Sequence, residues 1–253
     1  MKSCYAKCAT GTALITAMLM ASRLALAGPP FLTYDPEPVE YQHHEFYISS
    51  MLVKTRDGRS GTLPHLEYNY GATPDLQLHV LIPNAFNSPT NGTHQAGSGD
   101  IELGAKYRIA QETDGRPMVG IFPLIQIPAG NANKGLGNGA TQVFLPVWLQ
   151  KKWGAWQSYG GGGYWVNNAL NAKNHWFFGW QLQKDISEHL TVGGEIYHST
   201  EQVPGAGSSS GFNLGGFYNF DEHNHLLFSA GRGLANIDMT NQFSSYTGYQ
   251  WTW

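Results

Sequence analysis

Several stretches of this chain carry ionisable or amide side chains at every second position. Glu102, Lys106 and Arg108 share one parity, and so do His65 and Glu67. Because successive residues of a β-strand point to opposite faces, this spacing gathers such groups on one side of a sheet. Charges on a shared wall either pair with one another or contact an ion or a polar solute. The candidate wall residues are His65, Glu67, His79, Glu102, Lys106, Arg108, Phe122, Gln126, Trp148, Gln181 and Glu195.

The two apolar members of that set, Phe122 and Trp148, suggest a second kind of chemistry. The wall of a purely aqueous pore would not require these two side chains. They either pack the interior or form a patch for an aromatic or lipophilic solute, because small-molecule sites combine apolar walls with a few polar groups. The other apolar residues predicted on the same face are Leu124, Phe144, Phe177 and Phe217.

Strands have to position these side chains, because apolar residues recur with a period of two and not 3.6. Ile101, Leu103, Ala105, Tyr107 and Ile109 form one such set. The pattern predicts an all-β chain of about 12 strands (roughly 10 to 14), most of them near the ~9–11 residues of a tilted membrane strand. The predicted strands are 40–53, 63–73, 75–86, 99–111, 117–128, 139–152, 156–167, 174–185, 189–200, 210–221, 224–234 and 245–253.

The predicted connections alternate strictly between short and long. This asymmetry is typical of outer-membrane barrels, which have short periplasmic turns and longer external loops, and it places both termini in the periplasm. Closure is also required in hydrocarbon, where an open sheet edge leaves backbone groups unpaired. The short turns are centred on 73–75, 113–115, 153–155, 187–189 and 221–223, and the long loops are 54–62, 87–98, 129–138, 168–173, 201–209 and 235–244.

We predict no catalytic residue, no metal site and no cofactor. His43 and His44 are adjacent and would point to opposite strand faces, and spacing fixes no third ligand beside them. His198 and Ser199 are the local candidates for an outer-membrane hydrolase, but they also point to opposite faces and lack the His-x-Ser spacing of barrel lipases.

The start of the sequence predicts secretion. Lys2 and Lys7 precede an apolar run at 9–21, and Ala25-Leu26-Ala27 is a small-x-small cleavage site. We therefore expect export across the inner membrane to the bacterial outer membrane.

Three parts of the chain are predicted from these signals. Residues 1–27 are the cleaved signal peptide, which contains both cysteines. Residues 28–39 are a proline-rich extension that lies in the periplasm or enters the lumen as a partial plug. Residues 40–253 form the transmembrane barrel.

The end of the sequence predicts recognition by the barrel-assembly machinery. Alternating aromatics finish at Trp251 and Trp253, as in the terminal strand of outer-membrane barrels. The other expected partners are outer-membrane lipids, lipopolysaccharide and a small-molecule solute. The signal peptide holds three of the 15 basic residues and none of the 18 acidic ones, so the exported chain is acidic and a nucleic-acid partner is not expected.

The stretch from Gly99 to Arg108, Gly-Asp-Ile-Glu-Leu-Gly-Ala-Lys-Tyr-Arg, resembles a hallmark of the outer-membrane barrel family named for the MetA pathway of phenol degradation. That family also has Pro-Thr-Gly-Asp followed by Gly-x-Gly. Pro128-Ala129-Gly130-Asn131 and Gly135-Leu136-Gly137 are similar, with Ala129 and Asn131 departing from the pattern. The strand rhythm matches over most of the chain. The resemblance implies an outer-membrane barrel and uptake of hydrophobic compounds, and it provides no catalytic residues.

The function expected from these observations is a non-enzymatic, porin-like channel or transporter that passively admits small solutes, including aromatic or hydrophobic ones. Two alternatives stay open at this point. One is a structural or surface-interaction barrel with a closed lumen, and the other is an outer-membrane hydrolase. A secreted β-sandwich or soluble ligand-binding barrel is disfavoured by the strand number, the alternating connections and the aromatic ending.

Overall fold

The computed structural model of the protein describes residues 29–253. Within them lie one antiparallel sheet, a short 3-10 turn at Ala132–Lys134 and the helix α1 at Ile237–Thr240. The strand segments are β1 (His44–Thr55), β2 (Gly58–Thr73), β3 (Leu76–Pro89), β4 (Gln95–Ser98), β5 (Ile101–Ala110), β6 (Met118–Ile121), β7 (Leu124–Ile127), β8 (Gln142–Trp153), β9 (Trp156–Asn167), β10 (His175–Asp185), β11 (Leu190–Ser199), β12 (Ser209–Asn219), β13 (Asn224–Ala235) and β14 (Phe243–Thr252).

The sheet closes on itself, because β1 pairs with β2 on one side and with β14 on the other. β4 and β5 both pair with β3, and β6 and β7 both pair with β8, so each couple forms one wall strand. The predicted strand 117–128 is interrupted at Phe122 and Pro123, where proline has no N–H to donate to the ladder. The result confirms the predicted fold, a closed antiparallel barrel of twelve wall strands.

The two faces of each strand differ in the way the period of two predicts. Along β5, Leu103 and Tyr107 are 40% and 47% exposed on the outer wall, whereas Glu102 and Lys106 are 6% and 2% exposed inside. In water such an apolar outer wall would cost about 25 cal/mol for each Å² left exposed, and hydrocarbon removes that cost. Within residues 29–253, no helix is long and apolar enough to cross a membrane.

The connections define two ends of the barrel. The end where β1 begins and β14 finishes is called the turn end, because four of its five connections have four residues or fewer, and the opposite end is called the loop end. At the turn end the connections are 74–75, 111–117, 154–155, 186–189 and 220–223, and at the loop end they are 56–57, 90–94, 128–141, 168–174, 200–208 and 236–242.

The predicted alternation is wrong at the first two loop-end connections. Pairing of β1 with β2 continues to Thr55 opposite Gly58, so only 56–57 turns where a loop was predicted over 54–62. The predicted loop 87–98 is likewise reduced to 90–94 by the extension of β3 and the presence of β4. Both stretches are polar and glycine-containing, which is typical of loops, but backbone pairing with neighbouring strands outweighs that local preference.

Residues 29–39 lie inside the barrel and are called the inner segment. The backbone N–H of Val39 donates to Gln77 Oε1 over 3.0 Å, and the carbonyl of Pro30 accepts a 2.6 Å hydrogen bond from the hydroxyl of Ser229. Thr33 and Asp35, between these contacts, have no exposed surface. The predicted signal peptide, 1–27, lies outside the described residues.

Candidate functional site

The inner segment is held first by Glu195 on β11. The Glu195 carboxylate accepts hydrogen bonds from the backbone N–H groups of Leu32 and Thr33, at 2.8 and 2.9 Å, and from the Thr33 hydroxyl at 2.7 Å. Asn213 on β12 donates a fourth bond, of 2.7 Å, to the same carboxylate. A buried carboxylate with four donors is well solvated by protein, so it fixes the segment without a cationic partner.

A lysine provides the second attachment. Lys106 Nζ lies 3.3 Å from Asp35 Oδ2 and donates to the carbonyl of Glu37 over 3.2 Å. The Lys106 and Asp35 side chains are only 2% and 0% exposed. Buried charges of this kind depend strongly on each other, because removing one partner leaves the other without compensation in a medium of low dielectric constant.

The third attachment joins the segment to β8. Glu37 Oε2 accepts hydrogen bonds from Lys152 Nζ at 2.7 Å and from Gln150 Nε2 at 2.8 Å. Gln150 belongs to a relay of amide side chains across β8, β9 and β10, because Gln157 donates to Gln150 Oε1 and Gln183 donates to Gln157 Oε1. The inner segment is therefore attached to opposite sides of the wall and crosses the lumen between them.

Close packing against the wall requires one particular glycine. A Cβ atom at Gly179, on β10, would lie 2.1 Å from the Thr33 hydroxyl oxygen and 3.1 Å from Thr33 Cβ. The bare backbone at this position lets the inner segment approach the wall closely enough to reach Glu195 on the next strand.

A polar cluster lies on β2, β3, β5 and β7. His79 Nδ1 is 2.7 Å from Asn69 Oδ1, and His79 Nε2 is 3.3 Å from Glu102 Oε1. Asn69 Nδ2 donates to Glu67 Oε1 over 2.9 Å, and Gln126 donates to Glu102 Oε2 over 2.8 Å. The imidazole thus lies between the nearly buried carboxylates of Glu67 and Glu102, and the cluster places negative charge inside the wall.

An aromatic cluster occupies the neighbouring part of the wall. Phe122, Leu124, Phe144 and Trp148 pack together and are at most 3% exposed. Tyr34 of the inner segment contacts this cluster, with 5.0 Å between the Tyr34 and Phe122 ring centres. Toward the loop end, Phe144 also contacts Trp165 at 4.7 Å and Phe177 at 6.3 Å between ring centres.

Phe122 joins the two clusters. Its ring centre is 5.4 Å from that of His79 and 5.3 Å from Lys106 Nζ. A Lys ammonium over an aromatic face is attracted by the ring quadrupole. The polar and apolar parts of the wall consequently meet against the inner segment.

The predicted wall residues lie on the inner face, but not all of them belong to one site. Arg108 lies at the turn end, where it donates to Asp75 Oδ1 at 2.8 Å and to the carbonyl of Pro74. Arg108 therefore pairs with Asp75 and does not balance the carboxylates of Glu67, Glu102 or Glu195. His65 lies 2.9 Å from the Thr62 hydroxyl.

Sequence reasoning missed the residues that the inner segment contributes. Tyr34, Asp35 and Glu37 carry no period of two, so no pattern placed them on the wall. Gln150 and Gln157 were detectable, because each shares the parity of buried neighbours on its strand.

The terminal aromatics and the hydrolase candidates also have defined positions. Trp251 and Trp253 stack at 4.3 Å on the outer wall, and Trp253 stacks on His44 at 5.1 Å. Ser199 is buried and donates to the carbonyl of Trp176, whereas His198 Nδ1 lies 2.8 Å from the hydroxyl of Ser210. The adjacent histidine and serine thus do not contact each other.

Comparison with solved structures shows the same architecture elsewhere. An outer membrane channel from Pseudomonas putida F1 superimposes with a TM-score of 0.69 at 16% identity, covering 87% of this chain and 98% of that one. The NanC porin gives a TM-score of 0.57 at 9% identity, covering 81% of this chain and 98% of that one. These similarities establish the fold, that of outer-membrane β-barrels.

The sequence comparisons identify the family. No curated protein matches the chain. The model of the family described as "Putative MetA-pathway of phenol degradation" matches residues 57–251, which is most of the chain. The protein therefore belongs to that family, in agreement with the resemblance found in its sequence.

Proposed function

We propose that the protein is an outer-membrane channel that passively admits small solutes, including aromatic or hydrophobic ones, and that the inner segment must shift for a solute to pass. The observation that carries the proposal is the aromatic cluster between the loop end and Tyr34. A solute entering at the loop end would meet Trp165, Phe177 and Phe144 before it reached the inner segment.

The chemistry of this wall supports apolar solutes more than freely hydrated ones. An aromatic ring gains about 0.5–1.5 kcal/mol from each well-placed aromatic contact beyond its burial. The adjoining carboxylates and amides would orient a hydroxyl or amine on the same solute. No residue of the wall has to react for passage to occur, so the proposal is a channel and not an enzyme.

The aromatic cluster can be tested with two matched substitutions. Phe122→Ser and Trp148→Ser remove rings beside Tyr34, and we expect slower uptake of an aromatic solute such as phenol into proteoliposomes. Phe217→Ser is the control, since Phe217 is equally buried but belongs to a separate cluster with Tyr47 and Leu227. Barrel formation is checked by heat-modifiable gel mobility. Equal uptake by all four proteins would disprove a role of the aromatic cluster.

The inner segment is tested by deleting residues 29–39 and recording single-channel conductance in a planar bilayer. We expect larger and longer-lived conducting steps than in the intact protein. Unchanged steps from a folded deletion variant would show that the inner segment does not limit passage.

A further inference from the structure

The outer wall near the loop end carries positive side chains at one level. Lys54 on β1 lies directly opposite Arg59 on β2, and Arg59 lies directly opposite Ser88 on β3. On the other side of β1, Lys54 is opposite Phe243 of β14. On the far side of β14, Gly231 of β13 is opposite Ser244. The next residue of β13, Arg232, therefore lies level with Phe243. Arg232, Phe243, Lys54, Arg59 and Ser88 thus form a row across five strands, called the outer basic row.

The row faces outward and not into the lumen. Lys54 shares its strand face with Ile48, which is 47% exposed on the outer wall. The residues between them at odd positions face inward. Arg59 shares that face because residues directly opposite each other in adjacent strands point the same way.

The height of the row matches the upper edge of the apolar wall. Eight residues separate Lys54 from Phe46 on the same face. At about 3.3 Å per residue and a tilt of about 40°, this places Lys54 roughly 20 Å above Phe46 along the barrel axis. The apolar band of such barrels is about 25 Å tall, so the row lies where lipid headgroups begin.

The positive charges of the row are uncompensated by protein. Among residues 29–253, no carboxylate lies within ion-pair distance of Lys54, Arg59 or Arg232. Other cations do have partners: Lys151 lies 3.0 Å from Glu112 and Lys152 lies 2.7 Å from Glu37. Like charges directly opposite in a sheet are destabilising, so the Lys54–Arg59 pair calls for an anion between or beside the two side chains.

A concave surface accompanies these charges. A pocket of about 450 Å³ opens beside Lys54, Arg56 and Arg59, with Ser88 and Thr90 supplying hydroxyls and Gln242 an amide. Arg56 lies 3.6 Å from Asp57, so its charge is partly compensated. The charges of Lys54 and Arg59 have no such partner among the described residues. Exposed Phe243 provides an apolar contact within the row.

We propose that the outer basic row binds the phosphate groups of a phosphorylated glycolipid of the outer leaflet, of the lipid A type, whose acyl chains lie against the apolar wall below. Cations and hydroxyls at one level hold the phosphates, and the pocket accommodates part of the sugar headgroup. The proposal rests on the outer-membrane location with the loop end outside, but not on channel activity.

The test measures lipid binding and not conductance, so its failure is distinguishable from failure of the proposed channel. The full chain is refolded in dodecyl maltoside, its barrel is verified by heat-modifiable mobility, and lipid A is titrated in the same micelles. The matched variants are Lys54→Gln/Arg59→Gln at the row and Arg116→Gln/Lys184→Gln at the turn end, which remove the same charge.

We expect lipid A to bind the unmodified protein and the turn-end variant equally, and the row variant about tenfold more weakly, the loss that corresponds to ~1.4 kcal/mol of phosphate contact. Phosphatidylethanolamine should not compete. Equal lipid A binding by the row variant would overturn the proposal. So would equal binding of lipid A from which the phosphates have been removed, because the contact would then be apolar.

Discussion

Thr33 presents both its backbone N–H and its hydroxyl to one carboxylate, that of Glu195, at 2.9 and 2.7 Å. The contact joins residues 162 positions apart in the chain, the inner segment and the middle of β11. It determines where the segment crosses the lumen, because no other wall residue receives so many of its donors.

The first prediction concerns this carboxylate. In Glu195→Gln, the amide keeps one acceptor oxygen but turns an NH₂ group toward donors of the inner segment. The substitution therefore weakens hydrogen bonds to a charged group, which are worth about 1.5–3 kcal/mol each. The inner segment should leave the wall more often, so conducting events in a planar bilayer should become more frequent. Glu67→Gln is the control, since Glu67 is buried but bonds to Asn69 and not to the segment. An unchanged event frequency in Glu195→Gln would show that this contact does not hold the segment.

A second prediction follows from the buried pair Lys106 and Asp35. Lys106→Met leaves the Asp35 carboxylate without a counter-charge, at an expected cost of about 3–5 kcal/mol. Adding Asp35→Leu removes the uncompensated charge, so the double variant should be more stable than the single one. The measurement is the temperature at which heat-modifiable mobility is lost. If the two substitutions act additively, the pair is not coupled and the inner segment is held elsewhere.

The sequence predicted the barrel wall better than the inner segment that lies within it. A period of two is imposed by the pleat of each strand, so Glu102, Lys106 and Glu195 could be placed on the inner face from spacing alone. The inner segment has no regular backbone pairing and therefore no period, and its contacts with Glu195 and Lys106 depend on the closed barrel. Arg108 shows what spacing does not determine within a strand. Its position in the alternation predicts the face but not the height along the barrel axis, and at the turn end it contacts Asp75.

The third prediction tests the close approach at Gly179. Gly179→Ala places a Cβ atom 2.1 Å from Thr33 Oγ1, so the inner segment must move away and conductance should increase. Thr33→Gly in the same chain removes the clashing atoms and should reduce the conductance of Gly179→Ala.

The control for the third prediction is Gly115→Ala at the turn end, where an added Cβ atom meets nothing within 4 Å. Identical conductance of Gly179→Ala and Gly115→Ala, with both barrels folded, would contradict the model of a tightly fitted segment.

The fourth prediction concerns ion selectivity after the inner segment is removed. Deleting residues 29–39 takes away Asp35 and Glu37, but Glu67, Glu102 and Glu195 stay on the inner face. Lys106 then loses its partner Asp35, and Lys152 loses its partner Glu37. These three carboxylates still outnumber the two lysines, and carboxylates that line a lumen favour cations through the field that they create.

We therefore expect the deletion variant to be cation-selective, with a reversal potential in a KCl gradient that shifts toward the K⁺ equilibrium value. Glu67→Gln/Glu102→Gln in the deletion background should reduce that shift, since two carboxylates beside His79 are neutralised without changing the shape of the wall. Asp221→Asn is the control, because Asp221 lies in the turn after β12 and not on the inner face. Anion selectivity, or an equal shift in the double variant and its background, would mean that ions do not pass the cluster of Glu67, His79 and Glu102.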